Sequence, residues 1–188
     1  VTDKGGPAAS QRLFFALWPP SELATALSGI AAAATRRFGG QPSRRESLHL
    51  TLAFLGDVPF DAMPALLAAA RQVAAPPFHL QIDRLGFWRH NCLLWAGCAP
   101  TPALQTLAAE LGSALAAAGQ PLPERQRAFA PHLTLARKLP AATSAAEVAS
   151  HPCTGLPAWP CTRFVLVASQ LSAAGSVYRP LAEFPLSA

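Results

Sequence analysis

The chain has 188 residues, 51% hydrophobic and 13% charged, which suits one domain, or two small lobes sharing a core, and excludes a disordered chain. Fifteen Lys+Arg against ten Asp+Glu give a net charge of +5 with no long basic block, which argues against a tail wrapping duplex nucleic acid and fits a basic cleft that attracts a phosphate. Cys92, Cys98, Cys153 and Cys161 make no Cys-x-x-Cys or zinc-finger pattern, so reduced thiols in a cytoplasmic protein are expected.

Taken in order, Val1–Gln11 reads as a frayed end, and Val1–Ser10 lacks the apolar run of a secretory leader. Arg12–Trp18 is an apolar strand stopped by Pro19-Pro20. Ser21 is placed to cap a helix over Glu22–Phe38, which Gly39-Gly40 ends. A loop with Arg44 and Arg45 leads to a strand, Leu48–Leu55. Asp61 is expected to cap a helix to about Ala74, and Phe78–Phe87 alternates as a half-buried strand. Trp88–Asn91 is a turn before a strand, Cys92–Cys98. The run Asn91–Ala109 carries no charge, but Pro100, Pro102 and Gln105 make it strand, turn and helix rather than a membrane span. Thr101 caps a helix with Pro102 in its first turn, running to about Ala118. After an irregular loop with Pro121, Pro123, Arg125 and Arg127 come a strand from His132, a short helix in Thr143–Ser150, a strand at Arg163–Leu171, a turn at Ala174-Gly175 and a strand at Val177–Phe184.

One stretch occurs twice. His49-Leu-Thr-Leu-Ala53 and His132-Leu-Thr-Leu-Ala136 are identical, 83 residues apart. Flanking strands align at similar offsets, Ala16 with Ala96 and Phe78 with Phe164, giving approximate repeats over 12–87 and 92–171 of a single 1–188 domain. The expected fold is α+β: a duplicated, bilobal domain with pseudo-twofold symmetry, antiparallel sheets lining a central cleft and helices outside.

Strand alternation puts His49 and Thr51 on one face and the leucines on the other, and does the same for His132 and Thr134. A pseudo-twofold would set the two pairs face to face. Two hydroxyls can hold phosphate oxygens, and two imidazoles, titrating near neutrality, can take a proton from an attacking water and give one to a leaving oxygen. Neither strand adds a carboxylate or thiol at ligand spacing, so no metal and no cofactor are expected. His79, His90 and His151 lack a Thr two positions on and are left out of the chemistry.

With their flanks, His49–Gly56 and Pro131–Lys138 resemble the paired His-x-Thr motifs of the two-histidine phosphoesterases, and most closely the RNA 2′,3′-cyclic phosphodiesterase or 2′–5′ RNA ligase branch. The resemblance extends to Arg12–Pro20, Leu85–Gly97 and Leu171–Leu186. It implies a hydrolase opening a terminal 2′,3′-cyclic phosphate to a 2′-phosphate, with reverse 2′–5′ joining as the same chemistry. His49 would be the acid toward O3′, His132 the base for water, and Thr51, Thr134 and Arg137 the phosphate contacts. RNA ends or small cyclic nucleotides are the implied partners of a monomer, with no membrane. Another small cyclic phosphate, a 2′–5′ oligonucleotide, or RNA-end binding without catalysis are the alternatives. Arg137 falls on the wrong face by strict alternation, and a bulge or the strand's end must re-aim it to reach the cleft. Phe54, in the same place of the first copy, is either a base platform or a core aromatic. Tyr178 and the tryptophans 18, 88, 95 and 159 read as packing, with Trp88 the best exposed among them.

Overall fold

The computed structural model describes residues 9–120, 122, 129–172 and 175–187. The frayed end up to residue 8, Arg125, Arg127 and the turn at Ala174 lie outside the described residues. In chain order the elements are β1 (Ser10–Leu17), α1 (Ser21–Phe38), β2 (Gln41–Pro42), β3 (Leu50–Pro59), α2 (Met63–Arg71), β4 (Phe78–Leu80), β5 (Arg84–Trp88), β6 (Leu93–Gly97), α3 (Pro102–Ala117), β7 (His132–Arg137), α4 (Ala145–Ala149), β8 (Trp159–Cys161), β9 (Arg163–Ser172) and β10 (Gly175–Pro185).

The main sheet is antiparallel, in the order β10-β9-β1-β3-β7-β6-β5, with the short β2 also paired to β7. One face is covered by helices. Leu23, Leu27 and Ala31 of α1 and Leu104, Leu107, Leu111 and Leu115 of α3 recur at helical spacing and are fully buried in one cluster with Leu13, Phe15 and Leu17 of β1. Each such leucine is worth roughly 1.5–3 kcal/mol. Thr101 caps α3 as expected, its side chain accepting from Leu104 N at 3.3 Å. The opposite face has a small apolar cluster, Phe14, Ala16, Val165 and Val167, with Trp18 and Tyr178 packed on it.

Several expectations are corrected. Ser10 and Gln11 already belong to β1, paired with Pro59 and Val58. Ser21 is the first helical residue rather than a cap, and its hydroxyl accepts from Arg45 at 3.1 Å. Asp61 sits in a 3-10 turn, Phe60–Ala62, and makes no cap bond. The long strand at Phe78–Phe87 is two strands, because β4 pairs with β8 in a separate sheet while β5 pairs with β6. The repeat alignment also shifts. Ala16 lies opposite Thr51, and Trp95, not Ala96, lies opposite Thr134.

Candidate active site

Among the described residues β3 and β7 meet at one register pair, Leu50 with Leu133, both fully buried on the helix face. His49 and His132 each precede that rung, and Thr51 and Thr134 each follow it. Counting outward in antiparallel register sets His49 across from Thr134 and Thr51 across from His132. All four therefore sit on the face opposite the leucines, side by side around one rung of a continuous sheet, rather than face to face across two sheets.

Both strands are bulged at the same place. Along β3 the partners in β1 skip Leu52, and along β7 the partners in β6 skip Leu135. Leu52 with Ala53, and Leu135 with Ala136, are buried as adjacent pairs, and the next residue returns to the opposite face. The residues so returned are Phe54 and Arg137, both exposed. Of the two ways to re-aim Arg137, a bulge or the strand's end, the strand uses a bulge. The end of β7 is also held close by β2, where Gly40 has a φ of +96° and a Cβ would stand 2.9 Å from the Arg137 carbonyl.

The two imidazoles are anchored alike. Nδ1 of His49 bonds the Ser47 carbonyl at 2.7 Å, and Nδ1 of His132 bonds the Ala130 carbonyl at 2.8 Å. A carbonyl only accepts, so each Nδ1 carries a proton and each Nε2 is left for chemistry, as a base when neutral and an acid when protonated. Their surroundings differ. His49 stacks on Trp18 at 5.2 Å, with Phe14 at 4.8 Å and the edge-on Tyr178 at 4.9 Å. His132 meets Trp88 edge-to-face at 4.5 Å. Burial lowers the His49 pKa from 6.5 to about 4, opposed by the Ser47 hydrogen bond and assisted by the charges of His132 and Arg137. Burial first, and then Arg137, lowers that of His132 as well. The Arg137 cation adds a small part of the lowering at both histidines.

A cavity of about 960 Å³ opens beside this group, lined by Thr51, Phe54 and His132, by Trp88 and Asn91, and by one side of α3. Phe54 is 42% exposed, with the Arg12 guanidinium over its ring at 5.5 Å. Trp18, Trp88 and Tyr178 do pack, as the sequence suggested, but against the imidazoles. Phe14 was missed because it is one apolar residue in a buried run. Trp95 lies across from Thr134 on the site face, and its indole occupies the space left by Gly86, where a Cβ would fall 2.1 Å from the Trp95 ring. Arg44 donates to the Ser176 carbonyl at 2.8 Å and Arg45 to Ser21, so both loop cations brace the fold. His90 lines the cavity, while His151 lies against Phe38. The four cysteines are free. No helix among the described residues is long and apolar enough to cross a membrane.

The 2′-5′ RNA ligase superfamily matches residues 19–171. The Escherichia coli RNA 2′,3′-cyclic phosphodiesterase is 34% identical over 94% of this chain and 97% of its own length. A Thermus thermophilus protein of the same name is 31% identical over 93% of this chain and 90% of its own. Among solved structures, E. coli LigT in apo form superposes with a TM-score of 0.84 at 32% identity, covering 96% of this chain and 100% of that one. The same protein complexed with 3′-AMP also superposes at 0.84. An antiparallel α+β sheet with two His-x-Thr pairs on one face defines the two-histidine phosphoesterase class. Within that class, the chain belongs to the 2′-5′ RNA ligase superfamily.

Proposed function

We propose that the protein is an RNA 2′,3′-cyclic phosphodiesterase that opens a terminal 2′,3′-cyclic phosphate to a 2′-phosphate. The observation that carries this reading is the grouping of His49, Thr51, His132 and Thr134 around the Leu50–Leu133 rung, with Arg137 bulged onto the same face. The relatives named for that activity support it. Thr51 and Thr134 donate to the phosphate oxygens, and Arg137 faces the charge that grows on them. Neutral His132 takes a proton from water at Nε2 as the water oxygen bonds to phosphorus. The bond from phosphorus to O3′ breaks, and the proton on Nε2 of His49 passes to O3′. Exchange with solvent then resets both rings. Phe54 carries the terminal base on its exposed face.

Both rings are pushed toward neutrality in the free protein, which suits the base and disfavours the acid. The bound phosphate monoanion offsets Arg137 and raises both values, so the substrate itself loads the proton onto His49. Joining of a 2′–5′ bond is the same displacement with a 5′-hydroxyl in place of water. In this reading the protein works as a monomer in the cytoplasm, without a metal.

The test is an oligoribonucleotide ending in a 2′,3′-cyclic phosphate, incubated in EDTA, with the products resolved. A 2′-phosphate is expected. A 3′-phosphate would reverse the roles of His49 and His132, and a requirement for a divalent ion would overturn the two-histidine scheme.

A further inference from the structure

Because β3 and β7 share a single rung among the described residues, their backbones part beyond it, Thr51–Phe54 on one side and Phe129–His132 on the other. The cavity fills that split and runs from the site face to α3. Its α3 wall is Ala108, Ala109 and Gly112, flanked by Gln105 and Ser113. A Cβ on Gly112 meets nothing closer than a Leu122 methyl at 3.5 Å, so the wall is flat and backbone is near the cavity. The volume, about 960 Å³, lies at the top of the range for drug-sized ligands, more than one nucleoside over Phe54 requires.

We propose that the α3 side of this split is a second nucleobase subsite, so that the preferred substrate is an RNA end of two or more nucleotides rather than a cyclic mononucleotide. The inference rests on the phosphodiesterase reading above. The occupant follows from continuity: the space opens directly from Thr51 and His132, so whatever enters it is covalently close to the reacting phosphate. It follows also from chemistry. The α3 wall of two alanines and a glycine accepts the flat face of a base, and the Gln105 amide, the Ser113 hydroxyl and the Asn91 amide offer both donors and acceptors to base edges. Small side chains make the slot, and among the described residues no Asp, Glu, Lys or Arg lines it.

The experiment compares kcat/KM for 2′,3′-cyclic AMP and for the dinucleotide ApA ending in a 2′,3′-cyclic phosphate. Wild type is expected to favour the dinucleotide by roughly ten-fold or more, mostly through KM, as one stacked base allows. Ala109→Leu and Gly112→Leu, on α3 and outside the strands that carry the histidines and threonines, should erase that preference while mononucleotide turnover stays within about two-fold. Equal kcat/KM for both substrates in wild type, or equal loss on both in the variants, would overturn the subsite. Calorimetric binding of ApA 2′-phosphate against 2′-AMP separates the two claims. Tighter dinucleotide binding that Ala109→Leu abolishes supports the subsite even if neither cyclic phosphate is turned over, an outcome that would remove only the hydrolytic reading.

Discussion

The guanidinium of Arg44 donates a 2.8 Å hydrogen bond to the Ser176 carbonyl, tying the loop that leads into His49 to the strand that carries Tyr178. Both supports of His49 meet in that bond: the Ser47 carbonyl on its Nδ1 and the Tyr178 ring against its edge. Arg44→Ala should therefore lower kcat by about five-fold, the equivalent of roughly 1 kcal/mol, with KM little changed. Arg44→Lys should restore part of it. A rise in KM alone would mean that Arg44 meets RNA instead of framing the imidazole.

Each histidine carries a proton in the proposed step. His49→Ala and His132→Ala should each reduce turnover by about 10² to 10⁴, with unchanged circular dichroism and only modest loss of phosphate affinity. Turnover that survives either change would remove acid–base catalysis from the scheme.

Low histidine pKa values in the empty site have a kinetic signature. For kcat/KM, which reports the free protein, the acid His49 must be protonated, so activity should fall as pH rises above about 4. For kcat, which reports the complex, the phosphate charge raises both values, and the profile should move to higher pH. The apparent constants belong to the pair. Coincident profiles would show that bound phosphate does not shift the histidines.

The same burial bears on stability. His49 titrates at about 4 when folded and 6.5 when not, so between those values the unfolded chain holds more protons and stability falls as pH falls. The slope from this group is at most about 1.4 kcal/mol per pH unit, and it vanishes below the folded value, where both states are protonated. Urea titrations of wild type and His49→Gln across that window should diverge in slope.

Gly86 and Trp95 provide a packing test. A methyl on Gly86 would overlap the Trp95 indole, which neighbours Thr134. Gly86→Ala should cost about 1–3 kcal/mol by thermal unfolding and lower kcat by displacing the threonine strand. Gly112→Ala, where a methyl would make only an ordinary contact with Leu122, should instead be neutral or stabilising.

The repeated His-Leu-Thr-Leu-Ala was legible because short-range alternation governs which way side chains point, and it located both histidines and both threonines and showed that Arg137 must be re-aimed, by a bulge or by the strand's end. Leu-Ala after each threonine is the trace of that bulge, two consecutive apolar residues where one should face the site. What sequence could not supply was pairing between distant strands. Phe14, Trp18 and Tyr178 reach His49 from β1, the turn after it and β10, and no spacing within one strand reveals that. The flanking-strand alignment slipped for the same reason, since Ala-rich stretches match at several offsets and only hydrogen-bonded register distinguishes them.

Among the described residues the two halves of the sheet share one register pair, Leu50 with Leu133, which is the pivot for any rotation of one half against the other. His49 and His132 sit next to the pivot, on opposite strands and in opposite chain directions. Any rotation about it would change the distance between them. The geometry between the two imidazoles thus rests on the Leu50–Leu133 pair, two fully buried residues.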